Sequence, residues 1–288
     1  MGTPPRPTTS VLIPAFNAQD TIERAIRSAM LQTVPPNEIV LGCDGCTDQT
    51  ATIARGLGAI VVENPKSNGA AARNAAFAAS SGDVVFLLDS DDEWLPNKVQ
   101  SHLDAHSKAP AASFVIDPSR RVRPGGEMRG LNGAGPEGDL TWRDMVQHRN
   151  WSSGSGISAR RDKWEAIGGF NPTLRGLQDV DFLIRMAYFG GPGYRVSDCN
   201  TLYHLSEGGI SRNTSWGDEM IGALAASCSF MEAEDVRSVR QTIAIRNALV
   251  SDLSTFWTHI RWGGVSLSDR RLWKALALVV MRKARASS

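Results

Sequence analysis

An α/β fold, built on a parallel sheet with crossover helices and followed by a C-terminal helical appendage, is what the sequence predicts. Strand and helix signals alternate over the first hundred residues. Val84 to Leu88 is continuously apolar, as a strand buried on both faces must be. From Trp216 onward helical patterns dominate.

In order along the chain, Ser10 to Pro14 is a short apolar run closed by proline, and Ile22, Ala25, Ile26, Ala29 and Met30 then recur at helical spacing. Ile39 to Gly42 makes a second strand, followed by a helix over Thr47 to Arg55 that Gly56 and Gly58 stop. Ala59 to Val62 is a third strand, and an alanine-rich helix from about Gly69 to Ala79 leads into Val84. A further helix is expected to begin near Trp94. Residues 117 to 139, rich in Gly, Pro and Arg, read as a mobile loop. Beyond them Thr141 to His148 looks helical, Gly156 to Ala159 extended, and Thr201 to Tyr203 a strand. The division this implies is a loose tail over residues 1–9, a main domain over 10–215 and a helical region over 216–288.

Composition excludes several classes. With Lys+Arg 31 against Asp+Glu 30, the net charge of +1 lacks the surplus cations of a dedicated nucleic-acid binder. A 42% hydrophobic and 21% charged chain is neither disordered nor fibrous. Four cysteines in 288 residues make no disulfide framework and point to a reducing compartment. Met1 to Thr9 lacks the apolar core of a signal peptide, Arg6 breaks a myristoylation pattern, and no run of 18 apolar residues occurs. The expectation is a cytoplasmic protein, or one held peripherally on the inner face of a membrane.

In a doubly wound sheet, ligands bind at the carboxyl ends of the strands. Those ends are polar here: Pro14-Ala15-Phe16-Asn17 after the first strand, Cys43-Asp44-Gly45 after the second, and Asp89-Ser90-Asp91-Asp92 after the buried one. Three carboxylates within four residues, directly after a buried strand, are electrostatically costly unless something positive sits among them. A divalent cation is the simplest compensation, because Mg²⁺ and Mn²⁺ take carboxylate oxygens and complete their shell with water and phosphate. The alternative is that Asp91 or Asp92 caps the following helix.

The chain resembles the inverting glycosyltransferases of family 2, which have the GT-A fold. The resemblance rests on Val11 to Asn17, Asp44-Gly45-Cys46-Thr47-Asp48, Asn68 to Asn74, Leu88 to Asp92, Gly168-Gly169-Phe170-Asn171 and Gln178-Asp179-Val180-Asp181, in the family's order across residues 10 to 212. It implies a Rossmann-like mixed, mostly parallel sheet flanked by helices, with a nucleotide-sugar half over about 10–110 and an acceptor half over about 111–215. Pro14, Ala15, Phe16 and Asn17 would then line the nucleotide pocket. Asp44 would accept the imide N–H of uracil or thymine, which suits a group with only lone pairs to offer. Arg73 would approach the base or phosphates. Asp89 and Asp91, flanking Ser90, form the Asp-x-Asp motif that holds Mn²⁺ or Mg²⁺ on the diphosphate, while Asp92 would reach the ribose or the metal. The metal stabilises the departing nucleoside diphosphate. The family's base is the aspartate of a Glu-Asp pair, here Gln178-Asp179, so Asp179 is the expected base, Gln178 an acceptor contact and Asp181 structural.

Other positions keep two readings. His204 could complete the metal shell or be a satisfied structural histidine. Trp151 could stack on an acceptor sugar or pack in the core. Cys43 and Cys46 stand where the family usually has Asp and Ser, and they read as two small, at least half-buried residues, since zinc would need a second pair. The basic, amphipathic C-terminus could lie on an anionic membrane or dock on its own domain or on a second subunit. A carbohydrate, lipid, protein or small molecule could be the acceptor. A nucleotidyltransferase would need a Gly-rich, cationic phosphate loop where Pro14 to Asn17 stands. Gln178 keeps open a catalytically weak sugar-nucleotide-binding module.

Overall fold

The computed structural model describes residues 5–65, 67–146, 152–205, 218–250 and 253–286, which divide into two compact units. The first carries two sheets. Strands β1 (Thr9–Ala15), β2 (Glu38–Asp44), β3 (Ile60–Asn64) and β4 (Val84–Leu87) lie parallel in the order β3-β2-β1-β4, connected through helices α1 (Ile22–Met30), α2 (Thr50–Gly56) and α3 (Gly69–Ala78). Every residue of β1 and of β4 is buried, as the unbroken apolar runs require.

After β4 the chain makes the short strand β5 (Glu93–Trp94) and helix α4 (Lys98–Lys108), then β6 (Phe114–Ile116), β7 (Ser119–Val122), β8 (Met128–Asn132) and β9 (Gly138–Leu140). Helix α5 (Trp142–Val146), strand β10 (Ile157–Arg160), helices α6 (Arg161–Ala166) and α7 (Gln178–Arg185), and strands β11 (Gly193–Arg195) and β12 (Thr201–His204) follow. β10 inserts antiparallel between β4 and β6, and β11 and β9 extend that edge, giving an eight-stranded mixed sheet. A second sheet runs β5-β12-β7-β8.

Three expectations are corrected. The helix placed near Trp94 starts at Lys98, because Pro96 keeps its predecessor out of helical geometry and Glu93–Trp94 pairs with β12 instead. The supposed loop over 117–139 holds β7, β8 and β9, and the Gly125-Gly126 pair turns the β7–β8 hairpin with both φ angles positive. Helix α2 begins at Thr50 rather than Thr47, since the Asp48 carboxylate accepts from the Thr50 N–H and hydroxyl in the loop before it.

The core under β1, β2 and β4 is mainly aliphatic, with Ile22, Ala25, Ile26 and Ala29 of α1 clustered with Val11, Ile13 and Leu41, and with Phe86 and Trp94 as its aromatic members. Helix α7 rests on aromatic rings: Phe182 stacks on Phe170 at 4.3 Å and meets Trp164 at 4.7 Å, and Trp164 stacks on Phe77 of α3 at 4.6 Å. That chain of rings fixes α7 relative to α3. The second unit contains α8 (Asp218–Ser227), α9 (Ala233–Val250), α10 (Leu253–Gly263) and α11 (Arg270–Ala286), with Ile245, Phe256, Ile260, Leu272 and Val279 in its core.

Candidate active site

The loops leaving β1 and β2 are laced together. Asn17, in the left-handed region at φ 47°, accepts from the Thr47 N–H at 2.8 Å, and the Ala18 N–H donates to Thr50 Oγ1 at 2.7 Å. Pro14 and Ala15 lie within β1 opposite Gly42 and Cys43, and Phe16 projects with 45% of its surface exposed. At the end of β2, Asp44 is 6% exposed; its Oδ1 accepts from the Ser67 N–H at 2.8 Å and from Asn64 Nδ2 at 3.3 Å. Both donors meet the same oxygen, which orients the carboxylate.

Cys43 and Cys46 form a disulfide, which corrects the expectation of two unlinked small side chains. Gly45 turns the chain at φ 68°, bringing the two Cα atoms within 5.7 Å and bracketing Asp44 with the bridge.

Helix α3 is set tightly on β2 because residue 42 is glycine: a Cβ there would stand 2.2 Å from the Ala72 carbonyl oxygen. Asn68 caps α3 by accepting from the N–H groups of Ala70 and Ala71. One turn in, Arg73 donates to Asp89 Oδ1 at 2.5 Å and to Gln178 Oε1 at 3.4 Å, and its guanidinium lies 5.3 Å from the Phe170 ring centre. A single side chain thus ties the end of β4 to the first residue of α7. Leu177, at φ 56°, turns the chain into that helix, and Asp179, half-buried, stands in its first turn with Oδ1 accepting from the Val180 N–H. Gln178 also donates to the Leu174 carbonyl at 2.7 Å, so both ends of its amide are engaged. Asp181 is wholly buried and paired with Arg185 at 2.6 Å.

The carboxylates after β4 have unequal surroundings. Ser155 is the hub among them: its Oγ accepts from the Asp89 N–H at 2.9 Å and donates to Asp92 Oδ2 at 2.5 Å. Asp92, with no exposed surface, also accepts from the His204 N–H at 3.0 Å. It therefore supports the site from beneath and does not line it, a correction to its expected ribose or metal contact. Burial and the charges of Asp89 and Asp91 raise the Asp92 carboxyl well above the ordinary range. Asp91 is pushed up to about 6, first by burial and then by Asp89, with Arg24 and Arg73 opposing. Arg24 donates to the Asp91 carbonyl. Asp91, Arg24 and His204 line one cavity of about 370 Å³ together with Thr21 and the β7–β8 turn, while Ser90 is half-buried beside them.

A divalent cation fits Asp91 best. That carboxylate is raised by burial and by the neighbouring Asp89, a state a cation would relieve, and it lines a cavity together with Thr21, Arg24, Arg123 and His204. The expected trio does not converge: among the described residues no three His, Cys, Asp or Glu side chains form a cation cluster. Arg73 already neutralises Asp89, and His204 Nε2 lies 3.3 Å from Glu93 Oε2, with burial and Arg24 lowering the imidazole's basicity. Trp151 lies outside the described residues. Sequence reasoning missed Ser155, Arg24 and Gly154, whose Cβ position would stand 2.9 Å from Asp89 Oδ2. The small-residue run Ser152 to Gly156 was the available signal for a close approach.

Residues 10–164 match the family described as Glycosyl transferase family 2. TuaG of Bacillus subtilis (strain 168), named as a teichuronic acid biosynthesis glycosyltransferase, is 29% identical over 214 residues, covering 72% of this chain and 83% of its own. Chondroitin synthase of Pasteurella multocida (strain Pm70) is 29% identical over 192 residues, 64% of this chain but only 19% of that protein, so the chain spans about a fifth of its length. Among solved structures, S. aureus TarS 1–349 in complex with UDP-GlcNAc superposes with a TM-score of 0.64 at 17% identity, covering 95% of this chain and 88% of that one. A mannosyltransferase from Pyrobaculum calidifontis, in complex with GDP-Man and Mn²⁺, gives a TM-score of 0.63 at 18% identity, covering 99% and 82%.

Proposed function

The chain belongs to glycosyl transferase family 2, and we propose that it moves a sugar, with inversion, from a nucleoside-diphosphate donor to an acceptor hydroxyl. The observation that carries the proposal is the double contact of Arg73. It ties the Asp89 end of β4 to Gln178, the residue beside Asp179, which supports a reading in which leaving-group departure and acceptor deprotonation occur next to one another.

The base of the donor is uracil or thymine in this reading, because Asp44 offers only acceptor oxygens and an N3–H is the complementary donor. The TarS complex with UDP-GlcNAc supports uracil; the mannosyltransferase complex with GDP-Man keeps guanine as the competing base. Pro14 to Asn17 border the nucleotide. Asp91 would hold Mn²⁺ or Mg²⁺ on the diphosphate, and that cation supplies Lewis-acid stabilisation of the charge left on the departing group. Arg73 keeps Asp89 fixed, and Asp179 takes the proton from the acceptor hydroxyl. Gln178, in place of the usual acid, removes a like charge from beside Asp179 and orients Arg73.

The acceptor is a carbohydrate or another hydroxyl-bearing molecule, and the chain attaches peripherally to one face of a membrane. No helix among the described residues is long and apolar enough to cross a bilayer, and the basic C-terminal segment supports attachment from one side. A screen of nucleotide sugars with Mn²⁺, scoring released nucleoside diphosphate, tests the proposal. A competent site leaks some donor to water, so uridine or thymidine diphosphate should appear; no release from any donor, with nucleotide still bound, would leave a binding module.

A further inference from the structure

The four C-terminal helices divide sharply by charge. Residues 216–252 carry six acids against three Lys or Arg, whereas 253–288 carry seven Lys or Arg against one acid, Asp269, which is already paired with Arg271 at 2.6 Å. The basic end therefore presents cations with almost nothing on its own segment to meet them.

Helix α11 also has more apolar surface than its unit buries. Leu272, Ala275 and Val279 face the core formed with Ile245, Phe256 and Ile260. A surface helix ordinarily stops there, with polar residues on the other side. Here Trp273, Leu278, Val280 and Met281 are each 47–50% exposed, and Leu267, at 64%, adjoins them, since Trp273 Nε1 donates to the Leu267 carbonyl at 2.7 Å. At 100° per residue, Arg270, Trp273, Lys274 and Met281 fall within about one 100° sector, so exposed cations are interleaved with the exposed apolar side chains. A contiguous apolar face of this kind marks an interaction surface.

We propose that this face of α11 lies on an anionic lipid bilayer, with Trp273, Leu278, Val280 and Met281 entering the headgroup boundary and Arg270 and Lys274 meeting lipid phosphates. The inference deepens the peripheral attachment proposed above, on which it rests, by naming the face and the lipid charge. Tryptophan fits that boundary, having an apolar ring and one polar N–H. Cations gain from the negative surface potential, and apolar side chains gain from leaving water. Charge argues against a second copy as the occupant: a two-fold contact through this face would set Arg270 and Lys274 against their own equivalents.

Flotation of the full chain with vesicles tests it, using phosphatidylcholine alone or mixed with phosphatidylglycerol. The chain should float with the anionic vesicles and lose that binding as salt rises. Lys274→Glu, a change of two unit charges, should reduce partition roughly 25-fold, on the scale of about fivefold per unit charge near such a surface. Trp273→Ala with Leu278→Ser should reduce it about as much even at low salt, and because all three positions are exposed the melting temperature should not move. Should the double variant fold poorly, Arg270→Gln with Lys274→Gln asks the same question through charge alone. Wild-type binding by every variant would overturn this face while leaving attachment intact. Equal binding to neutral vesicles, or no flotation at all, would overturn the lipid assignment, and sedimentation of a dimer that Trp273→Ala dissolves would assign the face to a second copy. Uridine diphosphate titrated into the same samples reports the donor site separately.

Discussion

Lys98, Asp117 and His102 form one charged group inside the first unit, and Asp89, Asp91 and Asp92 form another. The first is balanced. Lys98 Nζ lies 2.7 Å from Asp117 Oδ1 and 3.0 Å from His102 Nε2, and the Asp117 carboxylate also accepts from the Asn200 N–H and the Thr201 hydroxyl. The cation beside it holds the Asp117 carboxyl below its ordinary range even though burial pushes the other way. The second group has three carboxylates and two arginines, Arg73 and Arg24, and the Asp91 and Asp92 carboxyl groups are pushed upward, chiefly by burial. Buried charge that is matched within the chain braces β6 against β12; buried charge left unmatched at strand ends waits for a ligand's charge.

Exchanging stability for activity is the most direct way to break this contrast, and it carries the largest effects. Asp91→Asn should abolish turnover while leaving the melting temperature unchanged or higher, since it removes a repelled charge. Lys98→Met should do the reverse, costing about 3–5 kcal/mol of stability in denaturant titration by stranding Asp117, with nucleotide affinity kept while the protein is folded. If Lys98→Met melts like the wild type, the balanced group is not a brace. Next in size, Asp179→Asn should lower turnover by about 10² or more with donor affinity almost intact, comparing steady-state rates with calorimetric titration. Wild-type turnover would move the base elsewhere. Asp44→Ala should weaken uridine diphosphate by roughly one to two decades, the loss of a charge-assisted hydrogen bond, and cytidine diphosphate much less.

A separate effect lies in the acid range. Burial lowers His102 to about 4 and His106 to about 3. Above the unfolded value of 6.5 both are neutral in either state and contribute nothing. As pH falls below it, the unfolded chain binds protons that the two folded histidines refuse, so between about pH 6.5 and 4 each histidine should subtract at most about 1.4 kcal/mol of stability per pH unit, opposed by the raised Asp91 and Asp92 carboxyls, which take up protons first in the folded chain. Melting curves over that range check it, and His106→Gln should flatten the slope.

What the sequence disclosed and what it hid follow the same division. β1 to β4 and their helices were legible because each is a local apolar run with turn residues at its ends, and the carboxyl ends of parallel strands collect chemistry by topology. Asp44, Asp89 and Asp91 could be singled out for that reason, and Arg73 only through the family resemblance. The β7–β8 hairpin was not legible: its strands hold Ser119, Arg120 and Arg121, and only pairing with β12 makes them a sheet. Ser155 escaped because its role depends on β10 lying against β4, a pairing of segments some 70 residues apart. Lys98 and Asp117 carry no motif at all; their 2.7 Å contact exists only after α4 is laid beside β6. The Cys43–Cys46 bridge was within reach of the spacing, but the turn at Gly45 decides it.

The carboxylates after β4 are proposed to serve a nucleoside diphosphate through a divalent cation. Calorimetric titration of uridine diphosphate into the full chain, once with Mn²⁺ and once with chelator, tests it most directly. Binding with Mn²⁺ should weaken at least tenfold in chelator, and the Asp91→Asn protein should show the weak value in both. Equal affinity with and without the cation, or wild-type affinity in Asp91→Asn, would contradict it.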